Sequence, residues 1–351
     1  MTLATAAGAR AEALSAFVSG AGRDPGGLAP LAGDASNRRY LRLSDAHGRA
    51  VVMDAPAPAE DVRPFIAVTE ELRARGLSAP EILAADIGAG FLLLEDLGDA
   101  LYARVAAEAG ESALYARAVD LLAGRLADPP ARIGTGAAAR ALPPYDRATL
   151  AAEARLVTGW YLPGATGGPC PDALTEDLLG LLDAALGPAS EDRSALVLRD
   201  YHAENLIWLP DRPGLAAVGL LDYQDALAGH PAYDLVSLLE DARRDTAPEL
   251  RAAMLERFLA ARPDLDAEAF RAAFAALGAQ RNLKIVGIFT RLCLRDGKPR
   301  YLDLVPRVWD HLMRDLSHPA LAPVARLVAA HIPPPEPALR ARIAAGAGAG
   351  A

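Results

Sequence analysis

The stretch from Ala195 to Asp225, ALVLRDYHAENLIWLPDRPGLAAVGLLDYQD, constrains this chain more than any other. Three short apolar runs, Leu196–Leu198, Leu206–Leu209 and Ala217–Leu221, are punctuated by Arg199–Asp200 and by the turn sequence Pro210–Gly214. Two apolar runs joined by a Pro/Gly turn predict a β-hairpin. A hairpin sets its two outer ends side by side. Asn205 stands at one end, Asp222 at the other, and Asp200 lies in the loop just before. Two carboxylates and one amide therefore converge without a metal-binding His or Cys. Oxygen donors of this kind suit Mg²⁺, which keeps water and phosphate oxygens in its shell. Read by itself, the same stretch also fits a solvated hairpin with acidic ends.

The spacing D-x4-N followed by an Asp beyond a hairpin is the layout of a kinase reaction centre. There the first Asp orients the attacking hydroxyl and takes its proton, and the Asn and second Asp hold the metal ions that bridge the nucleotide phosphates. The rest of the chain is compatible with such a centre. At 351 residues it is long enough for two domains or one large two-lobed unit. With 52% hydrophobic and 23% charged residues it can bury a sizeable core. Its net charge of −9 argues against a nucleic-acid surface, which needs clustered basic residues. Cys170 and Cys293 show neither zinc spacing nor a disulfide framework, which points to a reducing compartment. The start lacks a basic segment followed by an apolar one, and no apolar stretch approaches ~18 residues. The expectation is a cytoplasmic protein without membrane or nucleic-acid partners.

Taken in order, residues 9–19 have helical spacing. Tyr40–Leu43 and Ala50–Met53 predict two strands around a turn at Asp45–Gly48. The small polar run Gly33–Asn37 before them can lay backbone N–H groups and short hydroxyls against phosphates, and can equally be an ordinary loop. Residues 60–75 predict a helix with Val62, Phe65, Ile66, Thr69 and Leu72 on one face; Glu70 flanks that face and is the better candidate for a buried carboxylate. Residues 91–94 predict a buried strand that breaks at Glu95–Gly98. Beyond it the chain turns helical, with predicted helices at 111–127, 174–186, from Pro231, at 247–260, 266–278, 279–294 and 305–316. Residues 334–351, Pro-rich and then Ala/Gly-rich, read as a frayed tail.

This order and its motifs resemble the aminoglycoside phosphotransferase and choline kinase superfamily, and within it the anomeric N-acetylmuramate/N-acetylglucosamine kinases of bacterial cell-wall recycling. The resemblance rests on GDASNRRYLR (33–42), VVMDAPAP (51–58), FLLLEDLG (91–98), RDYHAENL (199–206), LDYQDA (221–226), YDL (233–235), QRNLKIVGIFTRL (280–292) and RDGKPRY (295–301). It implies an α+β, two-lobed protein-kinase-like fold. A small α/β N-lobe with an antiparallel sheet would span 1–95, with a hinge near 95–98. A larger, mainly helical C-lobe would span 96–333, ATP would sit between the lobes, and 334–351 would be a disordered tail.

The resemblance also implies roles. Asp200 is the catalytic base, and Asn205 and Asp222 are the Mg²⁺ ligands. Ser36 and Asn37 lie over the phosphates, Glu95 and Leu97 offer backbone to adenine, and Asp234 buttresses the catalytic loop. Glu70 and Arg39 are assigned to the nucleotide side, and Asp225, Arg281, Lys284 and Arg300 to the sugar. The reaction implied is ATP-dependent phosphorylation of the anomeric hydroxyl of N-acetylmuramate and N-acetylglucosamine, toward UDP-N-acetylmuramate, by a monomer or weak dimer. Two departures stand out. Arg199 precedes Asp200 where relatives often have Gly, and the strand-borne lysine that grips the nucleotide phosphates is absent. The only lysines are Lys284 and Lys298. Arg38, Arg39 and Arg42 are its possible replacements; strand alternation puts Arg38 and Arg42 on one face and Arg39 on the other. The rivals are a kinase for another hydroxyl (aminoglycoside, choline, homoserine) and a nucleotide-binding module without turnover.

Overall fold

Alternating apolar positions in the first hundred residues build a five-stranded sheet, which a computed structural model describes within residues 3–31 and 38–346. Strands β1 (Leu28–Pro30), β2 (Arg39–Asp45), β3 (Gly48–Asp54), β4 (Ile82–Asp86) and β5 (Phe91–Glu95) are ordered β1-β2-β3-β5-β4, every pair antiparallel. Leu43, Ala50, Val52, Phe91 and Leu93 form a buried cluster with Leu14 and Val18 of helix α1 (Leu3–Gly20). Met53, Leu92 and Leu94, of opposite parity, are buried as well. Both faces of the sheet are thus covered, and helix α2 (Arg63–Ala74) buries Phe65, Ile66 and Leu72. The phosphate-loop candidates Ser36 and Asn37 lie outside the described residues.

The chain then runs through α3 (Tyr102–Ala109), α4 (Glu111–Arg125), the short pair β6 (Arg132–Ile133) and β7 (Arg140–Ala141), α5 (Arg147–Leu156), α6 (Leu162–Thr166) and α7 (Asp172–Leu186). Strands β8 (Ala195–Val197), β9 (Leu206–Trp208), β10 (Val218–Leu220) and β11 (Leu227–Gly229) follow. Helices α8 (Ala232–Leu239), α9 (Pro248–Ala261), α10 (Ala267–Leu294), α11 (Val305–Asp315), α12 (Ala322–His331) and α13 (Pro337–Ala345) complete the order. The α+β class expected from the sequence is the one found.

Packing divides the chain into two units. One holds residues up to Val105 with Pro130–Leu142 and Asn205–Asp225; the other holds Ala106–Pro129, Pro143–Glu204 and the chain from Ala226. The hairpin bearing Asn205 and Asp222 therefore belongs to the unit that holds the sheet. Its strands extend the first unit by single backbone bridges, Ser78 to Gly219 and Leu101 to Ile207. The Arg212 guanidinium adds an ion pair to Glu95.

Two helical expectations are corrected. The segments 266–278 and 279–294 form one helix, α10, because Gly278 does not end it. Gly278 instead allows a close approach: a Cβ there would lie 2.6 Å from the Asp315 carboxylate. The tail is also not frayed throughout. Residues 337–345 form α13, fixed by the burial of Leu339 and Ile343. Gly287, the other α10 glycine with a tight neighbour, lets α5 come in close, since a Cβ would lie 2.3 Å from the Leu156 backbone. That approach brings Glu153 of α5 against α10.

Candidate active site

Strand β8 is fully buried and antiparallel to β11, and the loop after it carries Asp200 into solvent. The loop is tightly anchored. Asp234 of α8 accepts the backbone N–H of Leu198 at 2.6 Å and of Arg199 at 2.9 Å. The Asp200 N–H bonds to the Leu198 carbonyl at 2.9 Å, and the Ser237 hydroxyl donates to the Arg199 carbonyl at 3.3 Å. The buttress expected of Asp234 is in place. Burial pushes its carboxyl up to about 7, although the two backbone donors pull the other way.

Arg199 adopts φ 72°, a left-handed conformation that a side chain disfavours. This explains why glycine suits the position, and why Arg199 needs holding. Its guanidinium pairs with Glu153, which Lys284 Nζ also meets at 2.8 Å and to which the Tyr145 hydroxyl donates. Burial alone would raise the Glu153 carboxyl, but Lys284 and Arg199 hold it below the usual carboxylate range. Burial likewise disfavours the Lys284 ammonium, yet the Tyr233 and Glu153 oxygens keep its pKa above the ordinary lysine value. Lys284 also meets the Tyr233 hydroxyl at 3.2 Å. Beneath the loop, Arg281 is 5% exposed and bonds the Ser237 hydroxyl at 2.9 Å and the Glu240 carbonyl at 3.3 Å. Expected on the sugar side, it is buried against α8.

The hairpin has the predicted geometry. Leu206 pairs with Leu220, Ile207 with Gly219 and Trp208 with Val218. One step further out, the Leu221 N–H donates to the Asn205 carbonyl at 2.9 Å. Asn205 and Asp222 therefore leave the hairpin together. Asp222 is exposed, has φ 54°, and accepts from the Gln224 amide at 2.9 Å. Among the described residues no three His, Cys, Asp or Glu side chains gather as a metal cage. One carboxylate and one amide oxygen at a hairpin mouth fit Mg²⁺, which takes few protein ligands and keeps water and phosphate oxygens. Asp200 and Asp222 are both exposed.

On the sheet side the faces of β2 are now assigned. Arg39 pairs with Asp54, is 65% exposed, and shares that carboxylate with Arg10. Arg42 is bound by Asp96 and Asp99. Arg38, on the face opposite Arg39, pairs with Glu60 at 3.3 Å, both side chains less than a fifth exposed. Tyr40 lies with them. Burial raises its hydroxyl to about 12, Arg38 acting against this and the Asp222 and Glu60 charges adding to it. Of the three arginines, Arg38 is thus the one grouped with Tyr40 and Asp222, whereas Arg39, assigned to the nucleotide side from the sequence, pairs with Asp54. Glu70, the expected carboxylate of α2, lies elsewhere on that helix. It accepts from Thr135 at 3.1 Å in the wall of a cavity of about 380 Å³ lined by Ile66, Arg73 and Glu81.

Glu95 ends β5 with its N–H on the Glu81 carbonyl at 2.8 Å, and Leu97 is buried before the left-handed Gly98. Asp225 is exposed in the turn after Asp222. Arg300 is exposed, 5.3 Å from the Tyr301 ring. Glu60 and Glu153 were not anticipated. Glu60 precedes α2 instead of lying on it, and Glu153 carries no motif that would mark it in the sequence.

The chain belongs to the phosphotransferase enzyme family (APH), which it matches over residues 27–273. Among individual relatives, the N-acetylmuramate/N-acetylglucosamine kinase of Caulobacter vibrioides is 42% identical over 89% of this chain and 94% of its own. The kinase of the same name from Pseudomonas aeruginosa is 37% identical over 87% and 88%. Among solved structures, a choline/ethanolamine kinase family protein from Mesorhizobium loti has the same fold, with TM-score 0.57 and 17% identity over 92% of this chain and 98% of its own. No described helix is long and apolar enough to cross a membrane.

Proposed function

We propose that the protein transfers the γ-phosphoryl group of ATP to the anomeric hydroxyl of N-acetylmuramate and N-acetylglucosamine. The observation that carries this reading is the hairpin register that brings Asn205 and Asp222 out together, five residues after a loop that exposes Asp200 on a fixed backbone. The relatives' shared name supplies the acceptor class. In the proposed reaction the sugar oxygen attacks the γ-phosphorus, the bond to the ADP oxygen breaks, and the hydroxyl proton passes to the Asp200 carboxylate. Asn205 and Asp222 would hold Mg²⁺, whose charge offsets that of the phosphates. Little covalent work falls to the protein; placement dominates.

Other assignments follow as parts of the same proposal. Arg38, held by Glu60, takes the place of the missing strand lysine. Ser36 and Asn37 cover the phosphates, and the Glu95–Leu97 backbone meets adenine in a hinge at 95–98 that divides an N-lobe from a C-lobe. Asp225, Lys284 and Arg300 lie toward the sugar. The lactyl carboxylate of muramate suits a guanidinium partner, and Arg300 is exposed for it.

The test is ADP release with ATP and Mg²⁺ in the presence of N-acetylmuramate, N-acetylglucosamine, choline or an aminoglycoside. Turnover with the two N-acetylated sugars, giving an acid-labile sugar 1-phosphate, is the expected result. Turnover only with choline or an aminoglycoside would replace the acceptor. Mg²⁺-dependent nucleotide binding without turnover on any acceptor would make the protein a binding module.

A further inference from the structure

The residue after Asp222 is built into the core. Tyr223 is fully buried, and its hydroxyl lies 2.7 Å from that of Thr69, itself 1% exposed. The Tyr223 ring stacks on Phe65, with centroids 5.1 Å apart and planes 24° apart. Phe65 and Thr69 are one turn apart on α2, so a single helix face grips both ends of the tyrosine. Burial raises the Tyr223 pKa far above the ordinary value, so the hydroxyl stays neutral. On its other side Asp222 follows Leu221, whose N–H is fixed to the Asn205 carbonyl. Between these anchors Asp222 holds a left-handed backbone, φ 54°, which a non-glycine residue keeps only when its surroundings over-determine it.

We infer that Thr69 and Tyr223 are positioning residues: their hydrogen bond couples helix α2 to the Asp222 carboxylate and thereby sets metal affinity at the hairpin mouth. The Phe65 stack supplies packing that any apolar ring would give. The hydroxyl pair supplies direction, because a buried phenol without its partner can rotate or shift to satisfy itself. A shift of the Tyr223 backbone moves the left-handed residue next to it. This inference rests on Asp222 as the metal-holding carboxylate proposed above.

The experiment measures Mg²⁺-dependent nucleotide binding by calorimetry, Mn²⁺ binding by electron paramagnetic resonance, and thermal unfolding, for Thr69→Val, Tyr223→Phe, the double variant and Thr69→Ser. The expected result is an about tenfold loss of metal affinity in each hydroxyl-deleting single variant, the usual effect of removing a group that orients a ligand. The double variant should lose no more than either single, because one bond is removed in all three, and Thr69→Ser should retain wild-type affinity. Unchanged metal affinity with lowered thermal stability would overturn the inference and leave the pair a packing contact. Loss in Thr69→Ser equal to that in Thr69→Val would overturn it too. Asp222→Ala separates this from the underlying reading: if that variant binds metal–nucleotide as the wild type does, Asp222 itself is misassigned.

Discussion

The loop carrying Asp200 and the turn carrying Asp222 solve one problem with different chemistry. Both expose a carboxylate, and both need a left-handed non-glycine residue, Arg199 in the first and Asp222 itself in the second. The first is held by titratable groups: Asp234 on two backbone N–H donors, and Glu153 between Arg199 and Lys284. The second is held by neutral ones, a buried hydroxyl pair and an aromatic stack. The difference teaches where pH can act. Titration reaches the Asp200 loop through Asp234, whose carboxyl is raised to about 7, whereas the hydroxyl pair beside Asp222 stays neutral there.

The largest test of this contrast is Asp234→Asn. An amide can accept with one oxygen only, so one of the two buried N–H groups loses its partner, at a cost of about 1–3 kcal/mol. Because misplacement of a reacting group by about 1 Å costs on the order of 10²-fold, kcat should fall by that order while nucleotide binding persists. The stability profile should change too. The folded pKa of Asp234 is raised to about 7, so its contribution is present below the ordinary carboxylate range and lost as pH rises through about 7. Thermal unfolding of Asp234→Asn should therefore depend less on pH between about 5 and 8 than that of the wild type. An unchanged profile would remove the titrating support from the account.

A smaller effect is expected on the Asp222 side. Arg38→Ala should raise KM for ATP by about tenfold, as loss of a charge-assisted phosphate contact does. Arg39→Ala should leave it unchanged, since Arg39 serves Asp54. Equal effects of the two would undo the assignment of the strand faces. The smallest change belongs to a residue outside both regions. Arg300→Ala should weaken N-acetylmuramate by about threefold, in keeping with a solvent-exposed ion pair, and leave N-acetylglucosamine unaffected. Equal losses on both sugars would take Arg300 away from the lactyl group.

The hairpin was legible in the sequence because its signals are local. Two apolar runs and a Pro/Gly turn fix the register, and the register fixes Asn205 beside Leu221 and Asp222. The support of Asp200 was legible only as far as Asp234, which follows the loop in a recognisable motif. What stayed hidden depends on partners distant in sequence. Strand alternation separated Arg38 from Arg39 but could not say which face meets Glu60, because Glu60 lies in the turn before α2 and not on its predicted face. The continuity of α10 across 278–279 was hidden because what Gly278 serves, the close approach of the Asp315 carboxylate, is supplied by α11. Helix α13 looked like a frayed tail because a contact that ties it down, Arg342 on the Ala165 carbonyl, is distant in sequence.

The central claim is that Asp200 takes the sugar proton while Asn205 and Asp222 hold the metal-loaded phosphates. Single-turnover phosphoryl transfer to N-acetylmuramate, measured for the wild type and Asp200→Asn at saturating MgATP, tests it most directly. The account predicts a rate lowered by about 10²-fold or more in the variant, with MgATP affinity retained. A variant that transfers at near wild-type rate, or that loses nucleotide binding instead of turnover, would contradict it.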